Sequence, residues 1–219
     1  RSTPKPSSAA SDVYKRETAH CPNTGSMLGL LDEGNKVYLS ESDNEKRKLK
    51  YTLEVIKLKS KHVGVNTHRT NRIVEKALNE KVFTFIKNIK EIRREVKYGE
   101  NSKIDFLVTT SKDQIYIEVK NVTLARNKSV AEFPDAVTAR GTKHLIELGK
   151  LKKKGIRAIM LYIVQRDDCE SFQLAKDIDP TYAENLDKAM KRGVEVFCYD
   201  CKFSNKDILI NREIKFIND

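Results

Sequence analysis

Cysteine is scarce and scattered. Four residues, at positions 21, 169, 198 and 201 of 219, have neither the density nor the spacing of a disulfide framework, so reduced thiols are expected. Cys198-Tyr-Asp-Cys201 has the spacing of half a zinc site, but no second Cys-x-x-Cys or paired histidine stands near it, and Val194 and Val196 ahead of it alternate like a strand. No apolar run reaches the roughly 18 residues a membrane span needs, and no stretch combines a basic start, an apolar core and a small-residue cleavage site. These absences predict a soluble cytoplasmic protein with no membrane contact. Acid is also in deficit: 31 Asp and Glu against 42 Lys and Arg leave a net charge of +11, which favours a polyanion such as a phosphate backbone as partner. With 39% hydrophobic residues the chain can build a packed core, and its length suits two unequal domains.

The most informative stretch present is Lys103-Ile-Asp105-Phe106, a polar turn, then Ile115-Tyr-Ile-Glu118-Val-Lys120. Period-two alternation on the second strand puts Ile115, Ile117 and Val119 on one face and Tyr116, Glu118 and Lys120 on the other. On the first strand, Ile104, Phe106 and Val108 take the apolar face, so one face is core and the other carries chemistry. A turn centred between Ser111 and Lys112 places Asp105 directly opposite Glu118. Carboxylates so placed repel unless a cation or a shared proton intervenes. Hard oxygen ligands suit Mg²⁺ or Mn²⁺. Lys120, two residues beyond Glu118, can hold or deprotonate an attacking water or neutralise transition-state charge. The parts are those of metal-assisted phosphodiester hydrolysis; the alternative is an ordinary amphipathic hairpin whose exposed face carries Asp105, Glu118 and Lys120.

Along the chain, residues 1 to 19 begin Pro- and Ser-rich without periodicity and read as a disordered or remodelled start. From His20 to about Arg69, short strands at Val37-Tyr-Leu39, Tyr51–Ile56 and His62–Val65, separated by Gly, Asn and Ser, suggest a small β-barrel. Between them the basic run Lys46-Arg47-Lys48 offers a loop for phosphates. From residue 70 to 219 the pattern changes. Ile73, Val74, Ala77 and Leu78 follow helical spacing after Thr70 or Asn71 as N-cap. Glu95–Gly99 reads as a strand edge before the hairpin. A helix over 135–148 clusters Arg140, Lys143 and His144 one turn apart, Arg157–Val164 is a buried strand, and a helix over 182–191 stops at Gly193 before Val194–Phe197. This order predicts a mixed α/β sheet flanked by helices.

The ordered blocks His20-Cys-Pro-Asn-Thr-Gly-Ser-Met27, Ser42-Asp-Asn44 with Lys46-Arg-Lys48, Val65-Asn-Thr67, Asn71-Arg72, Glu95-Val-Lys-Tyr-Gly99, Ile104-Asp-Phe106, Glu118-Val-Lys120, Phe133-Pro-Asp-Ala136, Arg140-Gly141 and Lys143-His-Leu145 resemble the sugar fermentation stimulation protein family, SfsA. The resemblance runs from about His20 to near the C-terminus. It implies an N-terminal OB-like barrel that binds nucleic acid, over 20–69, followed by a PD-(D/E)XK nuclease-like domain over 70–219. By the same resemblance Asp105, Glu118 and Lys120 fill the nuclease motif, with Asp105 and Glu118 as metal ligands. It departs from the family in residues 1 to 19, which do not clearly supply the two strands expected ahead of His20, so an incomplete barrel is the expectation there. A glutamate on the helix before the hairpin has two candidates, Glu75 and Glu80.

Pro22-Asn-Thr-Gly25 reads as a tight turn with Asn or Gly at positive φ, and His20 as a hydrogen-bonded structural residue. Arg140 and Lys143, with His144, project from the helix after the hairpin, where cations can neutralise phosphate. The leading functional expectation is a DNA-binding, metal-dependent nuclease acting on DNA and also on RNA. The alternatives are a non-catalytic DNA-binding regulator of sugar metabolism genes and a partner-binding protein with a vestigial triad.

Overall fold

The computed structural model describes residues 8–12, 15–99, 102–204 and 207–218. The N-terminal unit is a five-stranded OB-type sheet of β1 (Ser8–Asp12), β2 (Lys15–His20), β3 (Lys36–Glu41), β4 (Tyr51–Leu58) and β5 (Lys61–Gly64). β4 is its spine, pairing with β2, β3 and β5. Its core is Met27, Leu30, Leu53, Ile56, Val63 and Val65. The start of the chain differs from expectation, since residues 8–12 and 15–20 supply both strands that an incomplete barrel would lack. Their polar composition carries no strand signal. Their order comes from pairing, Ser8 with Thr18 through Asp12 with Lys15, then Ala19 with Tyr51 and His20 with Thr52. Residues 1–7 and 13–14 lie outside the described residues.

The larger unit opens with α1 (Thr70–Asn79), which buries Ile73, Val74, Ala77 and Leu78 as its spacing predicts. The expected cap is displaced: Asn66 caps a 3₁₀ turn (Thr67–Arg69) that feeds α1, so Asn71 lies inside the helix with its side chain free for other work. Three antiparallel strands follow, β6 (Ile89–Tyr98), β7 (Ser102–Thr110) and β8 (Gln114–Val122). Then β11 (Arg157–Val164) and β13 (Glu195–Phe203) add in parallel, and β14 (Ile208–Glu213) closes the six-stranded sheet in the order β14-β13-β11-β8-β7-β6. A second sheet, β15-β12-β10-β9, is built from β9 (Leu124–Asn127), β10 (Val130–Phe133), β12 (Ser171–Leu174) and β15 (Lys215–Ile217).

Helices α2 (Ala139–Lys153) and α3 (Pro180–Lys191) cover one face of the main sheet through Leu145, Leu148, Tyr182 and Leu186. On the other face α1 and the segment after it supply Val74, Leu78, Phe83 and Ile86. Both faces are therefore core, against the expectation of one apolar and one chemical face. β11 shows this directly, with Met160 and Tyr162 in one core and Ile159, Leu161 and Ile163 in the other. The mixed sheet flanked by helices is otherwise as its residue pattern predicts.

Barrel and sheet are joined by backbone. Val63 and Arg166 form an antiparallel bridge, the Gly64 N–H donates to the Gln165 carbonyl at 2.8 Å, and the His62 N–H donates to Asp167 Oδ1 at 2.8 Å. This approach needs glycine at position 64, because a Cβ there would stand 2.5 Å from Gln165 Oε1 and 3.2 Å from the Gln165 Cβ. Gln165 is fully buried and cannot swing into solvent. Gly64→Ala is expected to cost about 1–3 kcal/mol by overpacking the seam, lowering the melting temperature by roughly 2–10 °C. Thermal unfolding checks this, and an unchanged midpoint would show that the seam is not packed as described.

Candidate metal centre

The hairpin register brings the two acids together. Phe106 pairs with Ile117, Leu107 with Tyr116 and Val108 with Ile115, so continuing the ladder sets Asp105 beside Glu118. The β6–β7 ladder keeps its register at the same level but is locally distorted. Arg94 pairs with Phe106 and Val96 with Ile104, while Glu95 between them takes φ 52°, a left-handed conformation that costs a non-glycine residue roughly 1–2 kcal/mol. Across this distortion β7 changes faces. Ile104 packs into the α2–α3 core, whereas Phe106 and Val108 pack into the α1 core, which corrects the expectation that all three share a face. Asp105 sits at the switch between the cores.

There Asp105 is held from two sides. Its Oδ1 accepts from Asn71 Nδ2 at 2.8 Å, and its Oδ2 accepts from the Val119 backbone N–H at 2.8 Å. Glu118 is only 2% exposed. Its Oε1 accepts from Lys120 Nζ at 2.7 Å and contacts His144 Nδ1, while Lys120 Nζ and His144 Nδ1 stand 3.3 Å apart. As a donor to a carboxylate, Nδ1 carries the imidazole hydrogen. The other oxygen, Glu118 Oε2, is buried without a hydrogen-bond partner among the described residues, as is the Tyr98 hydroxyl.

The two carboxyls are pushed in opposite directions. Burial, and then the charge of Glu118, raise Asp105 above the ordinary aspartate value, with the Val119 and Asn71 hydrogen bonds and Lys120 pulling the other way. Burial also opposes the charge on Glu118, but Lys120 and His144 together outweigh it and hold that carboxyl below its ordinary value. Burial, followed by the charges of Glu118, Glu147 and Asp105, keeps Tyr98 a phenol rather than a phenolate. A buried, unpaired carboxylate oxygen next to a second acid whose ionisation is resisted is a donor set that a hard divalent cation fits.

The other predicted residues divide. Arg140 and Lys143 are exposed on the first turn of α2, the helix whose His144 reaches Glu118. Lys46, Arg47 and Lys48 lie instead on the β3–β4 loop of the barrel, where Lys46 and Lys48 are exposed and Arg47 folds back to donate to Thr52 Oγ1 at 2.7 Å. Glu75 pairs with Arg94 at 2.9 Å and Glu80 is exposed, so the α1 side chain that reaches Asp105 is Asn71. His20 is exposed and lines a barrel groove. Cys198 and Cys201 enter opposite cores, so they form no half-site for zinc, and all four cysteines are free thiols. In the Pro22–Gly25 turn the glycine is needed for space and not for positive φ: a Cβ would lie 1.9 Å from Asp135 Oδ2, the atom that accepts the Ser26 N–H at 2.9 Å.

The opposed shifts have a measurable consequence. A carboxyl whose folded pKa is raised destabilises the fold when ionised, and that penalty disappears as pH falls towards the ordinary aspartate value of 3.8. In EDTA at pH 7, Asp105→Asn is expected to stabilise the protein by about 1 kcal/mol, or roughly 2–4 °C, because an amide oxygen can still accept from Val119 and Asn71 can rotate its own amide to donate or accept. The gain should shrink as pH is lowered towards 4. A melting temperature below wild type across that range would contradict the account.

Comparison with known proteins agrees with this architecture. A family model described as the sugar fermentation stimulation protein RE domain matches residues 68–207, and one described as the SfsA N-terminal OB domain matches residues 10–65. The sugar fermentation stimulation protein homolog of Pelagibacter ubique (strain HTCC1062) is 51% identical over 201 residues, covering 92% of this chain and 87% of that protein. The homolog of Maricaulis maris (strain MCS10) is 45% identical over 199 residues, covering 90% and 85%. The solved structure of Pyrococcus furiosus SfsA in complex with Ca²⁺ superposes with a TM-score of 0.85 at 26% identity, covering 93% of this chain and 87% of that one. With an OB domain followed by a mixed sheet that buries paired carboxylates, the chain belongs to the sugar fermentation stimulation protein family, SfsA.

Proposed function

We propose that this protein is a metal-dependent nuclease that cleaves DNA, and also RNA, with Asp105 and Glu118 holding Mg²⁺ or Mn²⁺. The observation that carries the reading is Glu118 Oε2, buried beside Asp105 without a hydrogen-bond partner among the described residues. A protein that only binds nucleic acid gains nothing from a repelling acid pair in its interior. The description of the Pyrococcus furiosus relative as a Ca²⁺ complex supports a divalent cation in this family. When bound, such an ion lowers the pKa of a water and stabilises charge on a phosphoryl oxygen. The chain's own residues do the rest. Asn71 and the Val119 N–H orient Asp105, His144 and Lys120 fix Glu118, and Lys120 supplies a cation for the charge that grows on the phosphoryl group. Arg140 and Lys143, one turn and less from His144 along α2, are assigned to the flanking phosphates. Lys46, Arg47 and Lys48 are assigned to the backbone of the same nucleic acid at the barrel. Three buried thiols suit a reducing compartment, and we place the activity in the cytoplasm. No helix among the described residues is long and apolar enough to cross a membrane.

The test is incubation with labelled single- and double-stranded DNA and RNA in Mg²⁺, Mn²⁺ or EDTA. Cleavage should require the metal and be abolished by Asp105→Asn and by Glu118→Gln with the fold intact. Lys120→Ala should lower turnover roughly 10²–10³-fold while nucleic-acid affinity is kept. Metal-dependent cleavage retained in both acid variants would overturn the assignment. Binding without cleavage in any metal would favour the non-catalytic regulator. Replacing Lys46, Arg47 and Lys48 together by Ala should weaken binding without regard to sequence. The log K against log salt slope should flatten by about 0.9 per lost duplex phosphate, or about 0.7 on single strands. An unchanged slope would show that the loop is only solvated.

A further inference from the structure

The seam between barrel and sheet holds two neighbouring cavities of about 320 and 270 Å³, which share Ser40, Glu54 and Arg69 as common wall. They adjoin each other along the seam, on either side of the Glu54–Arg69 ion pair. The first is basic, lined by His20, Arg47, His68, Arg69 and Arg72. The acid within it is already neutralised, because Glu54 accepts from Arg69 Nη2 and Asn66 Nδ2, both at 2.9 Å, and from Ser40 Oγ. Neither Arg47 nor Arg72 has a carboxylate partner among the described residues.

The second is aromatic. Tyr38, 47% exposed, lies 6.0 Å from the His62 ring, which stacks at 5.6 Å on Phe203. The row crosses the seam, with Tyr38 on β3, His62 on β5 and Phe203 on β13. It is held in place by Asp167, which takes both the His62 N–H and its Nδ1. The acid at this end, Asp207, is paired with Lys76 at 2.6 Å. At the opposite end the basic cavity reaches Arg72, the neighbour in α1 of Asn71, whose amide holds Asp105.

We propose that this seam is the track for a single strand of nucleic acid, with bases against the Tyr38–His62–Phe203 row and phosphates along Arg47 and Arg72. The track delivers the strand to the Asp105–Glu118 centre across the first turn of α1. A preset ring row next to a cavity whose Arg47 and Arg72 have no carboxylate partner among the described residues is the chemistry that recognises unstacked bases on a charged backbone, whereas the bases of an intact duplex are not available to it. This inference rests on the nuclease reading for what happens at the end of the track, but not for the binding itself.

The experiment is fluorescence anisotropy in EDTA, where no metal-dependent cleavage can intervene, with a labelled oligothymidylate and a labelled hairpin duplex. The variants are Tyr38→Ala, Tyr38→Phe and Arg72→Ala, each checked for an unchanged melting temperature. Tyr38→Ala should weaken the single-strand complex about tenfold and leave the duplex complex alone. Tyr38→Phe, which keeps the ring, should stay near wild type. Arg72→Ala should reduce the salt slope on the single strand by about 0.7. Single-strand affinity unchanged in Tyr38→Ala, or wild-type protein that binds duplex but not single strand, would overturn the track. Loss of cleavage in Asp105→Asn alongside either result leaves the nuclease reading standing without it. An Asp105→Asn protein that cleaves like wild type removes the nuclease reading while the anisotropy result still decides the track.

Discussion

The pairing of β7 with β8 is the constraint on which the rest of the site depends, because it withdraws two carboxylates from water side by side. Everything around them reads as a response to that placement. Asp105 is steadied by a backbone N–H from the strand that carries Glu118 and by an amide from α1. Glu118 is steadied by Lys120 from its own strand and by His144 from α2. The acids thus draw support from both faces of the sheet, which is why both faces must be packed. A one-sided sheet would leave one acid without its second support. Glu118 Oε2 nevertheless remains without a hydrogen-bond partner among the described residues, and a buried carboxylate oxygen calls for a donor or a cation.

The same economy governs the seam. The barrel is continued into the sheet by a β-bridge, by Gly64 and Gln165, and by His62 and Asp167. The segment that leaves the barrel, Asn66 through Asn71, caps its own 3₁₀ turn, lines the groove and ends by holding Asp105. Arg72, which lines the groove, and Asn71, which holds Asp105, therefore sit on one helical turn, so the barrel groove and the acid pair share a rigid part.

Much of this was legible in the residues. Alternation and turn chemistry located the hairpin and its register, and apolar spacing located α1, β11 and α3 to within a few residues. The resemblance to SfsA supplied the two-domain order. What escaped was set by distant contacts. β1 and β2 carry no apolar alternation and exist through pairing. The four short strands of the second sheet depend on one another, with β10 and β12 far apart in sequence. The reversal of β7 at Asp105 coincides with the positive φ of Glu95 on the neighbouring strand, which no period in β7 reports. Asn71, like Thr70, carries the local signal of a cap, and only the 3₁₀ turn ahead of it releases the side chain. His144 was visible as part of a basic turn with Arg140 and Lys143, yet its helix rotation turns it inward and the other two outward.

The buried acid pair is proposed as a cation site. Calorimetric titration of the protein with Mn²⁺ in the absence of nucleic acid tests it most directly, in wild type and in Glu118→Gln, which keeps the volume of the side chain and removes its charge. The account predicts saturable binding of one ion to wild type and its loss in the variant. Equal binding by both proteins, or none by wild type, would contradict it.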